Sequence, residues 1–150
     1  MKRAFTYLEL IIALVILSLL AGAAMPATQK IVKRGKELEL KRALMEVRTS
    51  IDRFKRMADA GEIQVDNIDQ LGYPADFDQM LEGATLTKQQ GKIMKFLRRI
   101  PVDPMTGEAK WGMRSVQDDV DSPSWGQENL FDIYSLSDGV ALDGTEYRTW

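Results

Sequence analysis

The sequence predicts an α+β fold, with a long N-terminal helix packed on a small head that contains a short antiparallel sheet. Three observations lead to this prediction. A nearly unbroken apolar run occupies Ala4–Pro26, an apolar stripe with helical spacing follows over residues 40–58, and strand candidates separated by turn residues come only after residue 61. Once the apolar run is set aside, the chain of 150 residues is long enough for one small domain.

The apolar run is long enough to cross a lipid bilayer. Phe5–Met25 contains 21 residues, which as a helix measure about 31 Å, close to the roughly 30 Å of hydrocarbon in a membrane. The one charged residue within it is Glu9. Because a carboxylate in hydrocarbon is costly, we expect Glu9 to have a function. The alternative is that Glu9 lies shallow enough to reach the headgroups.

The same run also has the features of an ordinary secretory signal peptide. A basic start, an apolar segment and the small residues Ala21–Ala23 would allow cleavage after Ala23 or Ala24, which would release a soluble binding domain. Glu9 counts against this interpretation, because it lies where the apolar segment should be starting. The helical pattern also continues past the small residues.

The segment after Pro26, residues 27–60, is predicted to continue the helix as a stem, so that one helix covers residues 5–60. Pro26 is expected to kink this helix or loosen its hydrogen bonds. Six apolar residues then recur at alternating steps of four and three: Leu40, Leu44, Val47, Ile51, Phe54 and Ala58. This spacing places them on one face, which we expect to form core beneath the sheet. The basic residues of the stem, including Arg48, Arg53, Lys55 and Arg56, are expected to be solvated or to pair with the acidic heads of neighbouring copies.

Residues 61–150 are predicted to form the head. Helices are expected at Pro74–Glu82 and Thr87–Arg98, and Pro101–Gly107 has the composition of a turn. Strands are expected at Glu108–Met113 and, most clearly, at Leu130–Leu136, where aromatic and branched residues are bounded by polar turns.

The charge and the missing residue types restrict the possible functions. Residues 1–60 hold 12 basic and 6 acidic residues, a balance of +6, and residues 61–150 hold 8 and 16, a balance of −8. This asymmetry favours attraction between copies of the chain over a nucleic-acid surface. The sequence has no Cys and no His, which excludes disulfides, thiolate metal sites and the commonest general base. No catalytic motif is present either, so we do not expect an enzyme.

The segment AFTYLELIIALVILSLLAGAAMP resembles the N-terminal signature of type IV pilin-like proteins. The resemblance implies that residues 1–4 are a leader, that a prepilin peptidase cleaves between Ala4 and Phe5, and that the new amino group of Phe5 is methylated. Counted from Phe5, Glu9 is fifth and Pro26 is twenty-second, as in the family. Ala4 stands where the family has Gly. The implied division is a leader at 1–4, a transmembrane assembly helix at 5–26, a stem at 27–60 and a periplasmic head at 61–150.

Cleavage would give Glu9 a partner. The new ammonium group of Phe5 can neutralise the Glu9 carboxylate of a neighbouring chain in a packed fibre, and an ion pair in a low-dielectric medium is tolerated only when it is complete. Phe5, Glu9 and Pro26 are therefore the expected assembly residues.

The head contains two further segments that narrow the resemblance. FLRRIPVDPMTGEAKW and FDIYSLSDG resemble the major pseudopilins of type II secretion, in which a loop after the last strand binds calcium. The resemblance implies ligands at Leu136, Asp138 and Asp143, with Ser135 or Ser137 as further donors, and oxygen ligands suit calcium. The alternative is an ordinary acidic turn. A second acidic group, Asp118, Asp119 and Asp121, lacks the spacing of an EF-hand and is expected to be a solvated loop.

The resemblance implies a structural rather than a catalytic role. The chain would be a single-pass protein of the bacterial inner membrane with its head in the periplasm, and it would polymerise into the helical fibre of a periplasmic pseudopilus that drives protein secretion. Its expected partners are further copies of itself, the prepilin peptidase, the inner-membrane assembly platform and minor pseudopilins, and no nucleic acid. The alternatives are a type IV pilus pilin for adhesion or motility, and the secreted binding domain described above.

Overall fold

The computed structural model describes residues 6–65, 67–89, 91–120, 122 and 124–150, without the side chains of residues 23–27. Its first element, α1, is a single helix over Tyr7–Asp59, which confirms the predicted long N-terminal helix across the described residues. The predicted cleavage residues Ala4 and Phe5, together with Asp121 and the side chain of Pro26, lie outside the described part. The chain divides into a first unit that ends at Gly35 and a second unit that begins at Lys36.

The apolar stripe of the stem forms the centre of the second unit's core. Leu40, Leu44, Val47, Ile51 and Phe54 are each at most 3% exposed, and Ala58 packs against the same cluster, as predicted. The ring of Phe54 lies 4.8 Å from that of Phe96, between centroids, at an interplanar angle of 58°. Met80, Leu130 and Ile133 complete the buried centre. One face of α1 therefore supplies a large part of the apolar surface on which the head is built.

The first part of the head is a short helix followed by a β-hairpin. The helix α2 covers Phe77–Glu82 and begins later than predicted, because Asp76 is extended and caps it by accepting a hydrogen bond from the Gln79 amide at 2.9 Å. Strand β1, Ala84–Thr85, pairs antiparallel with β2, Ile93–Met94.

The helix predicted at Thr87–Arg98 is wrong. Its residues instead form the turn of this hairpin, strand β2 and the segment that follows. Gly91 has a φ of +81°, a conformation that ends a right-handed helix, and the Leu86 amide donates across the turn to the Lys92 carbonyl at 2.9 Å. The amides of Phe96 and Leu97 both donate to the Met80 carbonyl, which ties the end of the hairpin to α2.

A second antiparallel pair forms the other half of the head. Strand β3 covers Gly112–Arg114, and β4 covers Asp132–Tyr134, with Met113 opposite Ile133. Both lie where strands were predicted, although β3 begins later and β4 is shorter. A side-chain carbon at position 112 would lie 2.2 Å from the Tyr134 ring, so only glycine allows that ring to lie across β3.

The described strands form two separate two-stranded sheets instead of the one sheet predicted. Two short 3-10 turns, Ile68–Gln70 and Tyr147–Thr149, complete the described elements. The α+β class is confirmed, with one long helix and two small antiparallel sheets.

Candidate functional site

The first unit presents an apolar helix surface. Between Tyr7 and Leu20, eleven large apolar side chains are each at least 41% exposed: Tyr7, Leu8, Leu10, Ile11, Ile12, Leu14, Val15, Ile16, Leu17, Leu19 and Leu20. Isolated exposed apolar residues are normal on a protein, but a continuous set of this size indicates a surface that another molecule covers. Among the described residues, no helix has an apolar stretch that is both long enough and hydrophobic enough to cross a membrane.

Glu9 lies in the first turn of α1, and the structure shows that Thr6 caps the start of this helix. The Thr6 hydroxyl accepts a hydrogen bond from the Glu9 amide at 3.3 Å. Thr6 and Glu9 have the spacing of a capping box, in which a threonine precedes a glutamate by three residues at a helix start. This threonine-to-glutamate spacing was visible in the sequence and could have predicted where α1 begins. A carboxylate in the first turn also interacts favourably with the helix dipole.

The residues predicted to hold calcium line two depressions of the second unit. Leu136 and Asp138 line a depression that also contains Arg114 and Arg148. Asp143 lines a different depression, beside Lys41 and Trp150. In the part of the chain that the structure describes, no three acidic side chains come together as metal ligands.

Hydrogen bonds within the chain hold the loop that contains Asp143. Asp143 Oδ1 accepts from the Thr145 hydroxyl at 2.6 Å and from its amide at 3.0 Å, and these bonds lower the pKa of the Asp143 carboxyl. The Ala141 amide donates to the Thr145 carbonyl at 2.7 Å, which closes the turn. Within the described residues, these contacts stabilise the loop without a ligand.

Hydrogen bonds to Glu37 connect the same loop to the stem. Its Oε1 accepts from the Leu142 amide at 2.8 Å and from the Tyr147 hydroxyl at 3.0 Å. Burial of Tyr147, reinforced by the hydrogen bond and the negative charge of Glu37, raises the pKa of the Tyr147 hydroxyl to about 12. The phenol therefore remains protonated and keeps donating to Glu37 throughout the neutral range.

Arg48 was predicted to be solvated or to pair with a neighbouring copy, and this prediction is wrong. Its Nε donates to Asp132 Oδ1 at 2.7 Å and its Nη2 to Oδ2 at 3.2 Å, a two-pronged pair with strand β4. The Nη2 group also donates to the Ile133 carbonyl at 3.0 Å and to the Trp150 carbonyl at 2.7 Å. Arg48 thus joins the stem, β4 and the C-terminal segment within one chain.

Two acidic residues are more buried or more connected than the sequence indicated. Asp103 is fully buried, where its Oδ2 accepts from the Ser135 hydroxyl at 2.6 Å and its Oδ1 from the Met105 amide at 2.8 Å. The sequence signal that could have indicated this burial is the position of Asp103 between two prolines, where an Asp side chain commonly caps its own turn.

Asp118, which was predicted to be solvated, accepts hydrogen bonds from the amides of Ser115 and Gly126 at 2.7 and 3.1 Å. These bonds organise its loop.

Comparison with models of protein families, with curated proteins and with solved structures finds no match for this chain. Two features of the described residues bear on function. One is the exposed apolar surface of the first unit, and the other is the set of side chains around the loop after β4.

Proposed function

We propose that this chain is the structural subunit of a helical fibre, a pseudopilus of the type IV pilin-like class, and that α1 is the element through which it polymerises. The observation that carries the proposal is the exposed apolar surface between Tyr7 and Leu20, on the same helix whose residues 40–54 form the core of the second unit. Apolar surface in water costs about 25 cal/mol per Å², so this surface needs a partner. Further copies of the same helix supply one.

In this proposal the first half of α1 has two successive environments. It first anchors the subunit in the bacterial inner membrane, with the head in the periplasm, and after assembly it packs in the interior of the fibre. Removal of residues 1–4 frees the amino group of Phe5, which then pairs with the Glu9 carboxylate of a neighbouring subunit. That pair offsets the cost of keeping Glu9 away from water.

The proposed activity is mechanical rather than catalytic. Growth of the fibre helps to move folded substrates outward, and the energy comes from an assembly ATPase that this chain does not contain, acting with the inner-membrane assembly platform. Prepilin peptidase and minor pseudopilins are the other proposed partners. The resemblance over residues 96–111 and 131–139 favours a pseudopilus over an adhesive or motile pilus.

The experiment that tests the class is mass spectrometry of the mature N-terminus after expression with prepilin peptidase. We expect the mature chain to begin at N-methylated Phe5. As a matched variant, Ala4→Gly restores the residue usual in the family and should be processed at least as completely. A mature chain that begins near Ala24 or Met25 would contradict the proposal and support the secreted binding domain.

Calcium remains a prediction from the resemblance, and melting temperature tests it. If the loop that contains Asp143 binds calcium after rearranging, saturation at a hundred times the dissociation constant stabilises the fold by about 2.7 kcal/mol, a shift of several degrees. Asp143→Asn should abolish this shift, whereas Asp119→Asn, in an exposed part of another loop, should preserve it. A melting temperature that is the same in calcium and in chelator identifies an acidic turn and weakens the pseudopilus assignment.

A further inference from the structure

A small depression lies beside strands β3 and β4 in the second unit. Its volume is about 190 Å³. Its lining includes two arginines, a tyrosine, a serine and one carboxylate that bear on what it can bind: Arg114, Arg148, Tyr134, Ser137 and Asp138. The lining holds two cations and one carboxylate, and a second carboxylate, Glu146, pairs with Arg148 from outside the lining, on a head whose sequence is acidic overall.

Arg114 has hydrogen-bonding capacity that its own chain does not use. Its guanidinium carbon lies 4.2 Å from the centroid of the Tyr134 ring, so the group stacks on that ring. Its Nε is buried and has no hydrogen-bond partner among the described residues. Leaving a buried donor of a charged group unsatisfied is unfavourable, and a guanidinium group has five donors in a fixed plane. Arg114 is therefore a cation placed over the Tyr134 ring with one buried donor unsatisfied, and the atoms that a ligand can reach are those that line the depression.

The ion pairs of Arg148 at the edge of this depression are weak. Its Nε lies 2.8 Å from Glu146, and its Nη2 lies 3.5 Å from Asp138. The side chains of Arg148 and Asp138 are 55% and 95% exposed, and pairs this exposed contribute little to stability. An incoming anion can therefore displace Asp138 from Arg148 at small cost.

We propose that this depression binds a phosphate group through Arg114 and Arg148. Guanidinium groups recognise phosphate through paired hydrogen bonds, and they do so better than lysine because their donors form a rigid fork. The Ser137 hydroxyl accepts from the Gly139 amide at 3.2 Å and keeps its own proton for a ligand. Two guanidinium groups and this hydroxyl offer more donors than the two oxygens of a carboxylate satisfy, whereas a phosphate has three or four acceptor oxygens.

The same charges oppose a divalent cation at Asp138. Two guanidinium groups line the depression that Asp138 shares, and like charges close together are unfavourable. The phosphate and calcium hypotheses therefore predict opposite effects of neutralising Asp138. The phosphate site involves only the second unit, so its test does not depend on whether the chain assembles into fibres.

Titration calorimetry of the full chain in an uncharged detergent, with inorganic phosphate as the probe, tests the proposal. We expect saturable binding at millimolar concentrations or below, which corresponds to at least about 4 kcal/mol. Arg114→Gln and Arg148→Gln should each weaken binding about tenfold, because each removes charged hydrogen bonds. Asp138→Asn should strengthen it about two- to fivefold, because it removes a repelling charge and frees Arg148.

Lys110→Gln is the matched control, because it removes an exposed cation that pairs with Glu108 outside the depression, and its phosphate binding should be unchanged. Melting curves verify that each variant is folded, and Arg148→Gln, on an exposed side chain, provides a test that does not depend on the packing of Arg114. A second titration with glycerol phosphate distinguishes the sources: stronger binding than inorganic phosphate indicates an esterified phosphate, and weaker binding indicates the free ion.

Three results would overturn the proposal. The first is the absence of saturable binding up to roughly 10 mM phosphate. The second is an equal loss of affinity in Lys110→Gln and Arg148→Gln, which would reveal only a response to net charge. The third is weaker phosphate binding together with lost calcium binding in Asp138→Asn, which would identify a cation site.

Discussion

Glu9→Ala is expected to leave insertion and removal of residues 1–4 intact and to abolish fibre assembly. The proposed pair between Glu9 and a neighbour's Phe5 amine forms in a medium of low dielectric constant. Removing one partner of such a pair costs about 3–5 kcal/mol, equivalent to a loss on the order of a hundredfold or more in the affinity between subunits. Electron microscopy of sheared fibres, with mass spectrometry of the subunit, measures the two outcomes separately.

Two matched variants separate the charge of Glu9 from the capping of the helix start by Thr6. Glu9→Gln keeps a side chain suited to the box but removes the charge, so it should fail to assemble as Glu9→Ala does. Thr6→Ala removes the hydroxyl that accepts from the Glu9 amide but keeps the charge, so its fibres should persist. Fibres of normal length and number from Glu9→Gln would refute the ion pair and leave Glu9 as a helix cap.

Phe54→Ala is expected to lower the free energy of unfolding of the second unit by about 3–5 kcal/mol, the usual cost of emptying a buried phenylalanine site. Phe54 is fully buried and its ring packs against that of Phe96. A small domain is stable by only about 5–15 kcal/mol, so this loss is a large part of the total. Chemical denaturation of the full chain in an uncharged detergent, followed by tryptophan fluorescence to which the buried Trp111 contributes, measures it.

Met45→Ala is the control on the same helix. Met45 is 68% exposed, so its truncation should change the free energy of unfolding by no more than about 0.5 kcal/mol. A loss below about 1 kcal/mol for Phe54→Ala would mean that α1 is not the centre of the core. Equal losses in the two variants would contradict the assignment of the buried face.

The stem was predictable because its signal is local and repeats. Leu40, Leu44 and Val47 establish a helical period within a few residues, and that period fixes which face is buried. The β1–β2 hairpin was not predictable in the same way, because each strand has only two residues. Two residues are too few to show the alternation of a strand, so the pattern at residues 87–98 favoured a helix.

Local sequence patterns could not predict the hydrogen-bond partners of charged residues either. Arg48 has several cations as neighbours on the stem, and nothing near it in sequence indicates that Asp132 would face it from 84 residues away. Glu9 was identified by its distance along the chain from Phe5, which is a local relation. Arg114 and Arg148 belong to no motif, and only the folded chain brings them to one depression.

The bonds that Glu37 and Arg48 make with the C-terminal segment have a consequence for the order of events during synthesis. The hydrogen-bond partners of Arg48 lie 84 to 102 positions later in the chain, and those of Glu37 lie 105 and 110 positions later. The ribosome makes both residues well before these partners. At about 5–20 residues per second, the ribosome needs on the order of ten seconds to deliver them. During that interval the head covers the buried face of the stem only in part, because Met80 and Phe96 are made before Leu130 and Ile133.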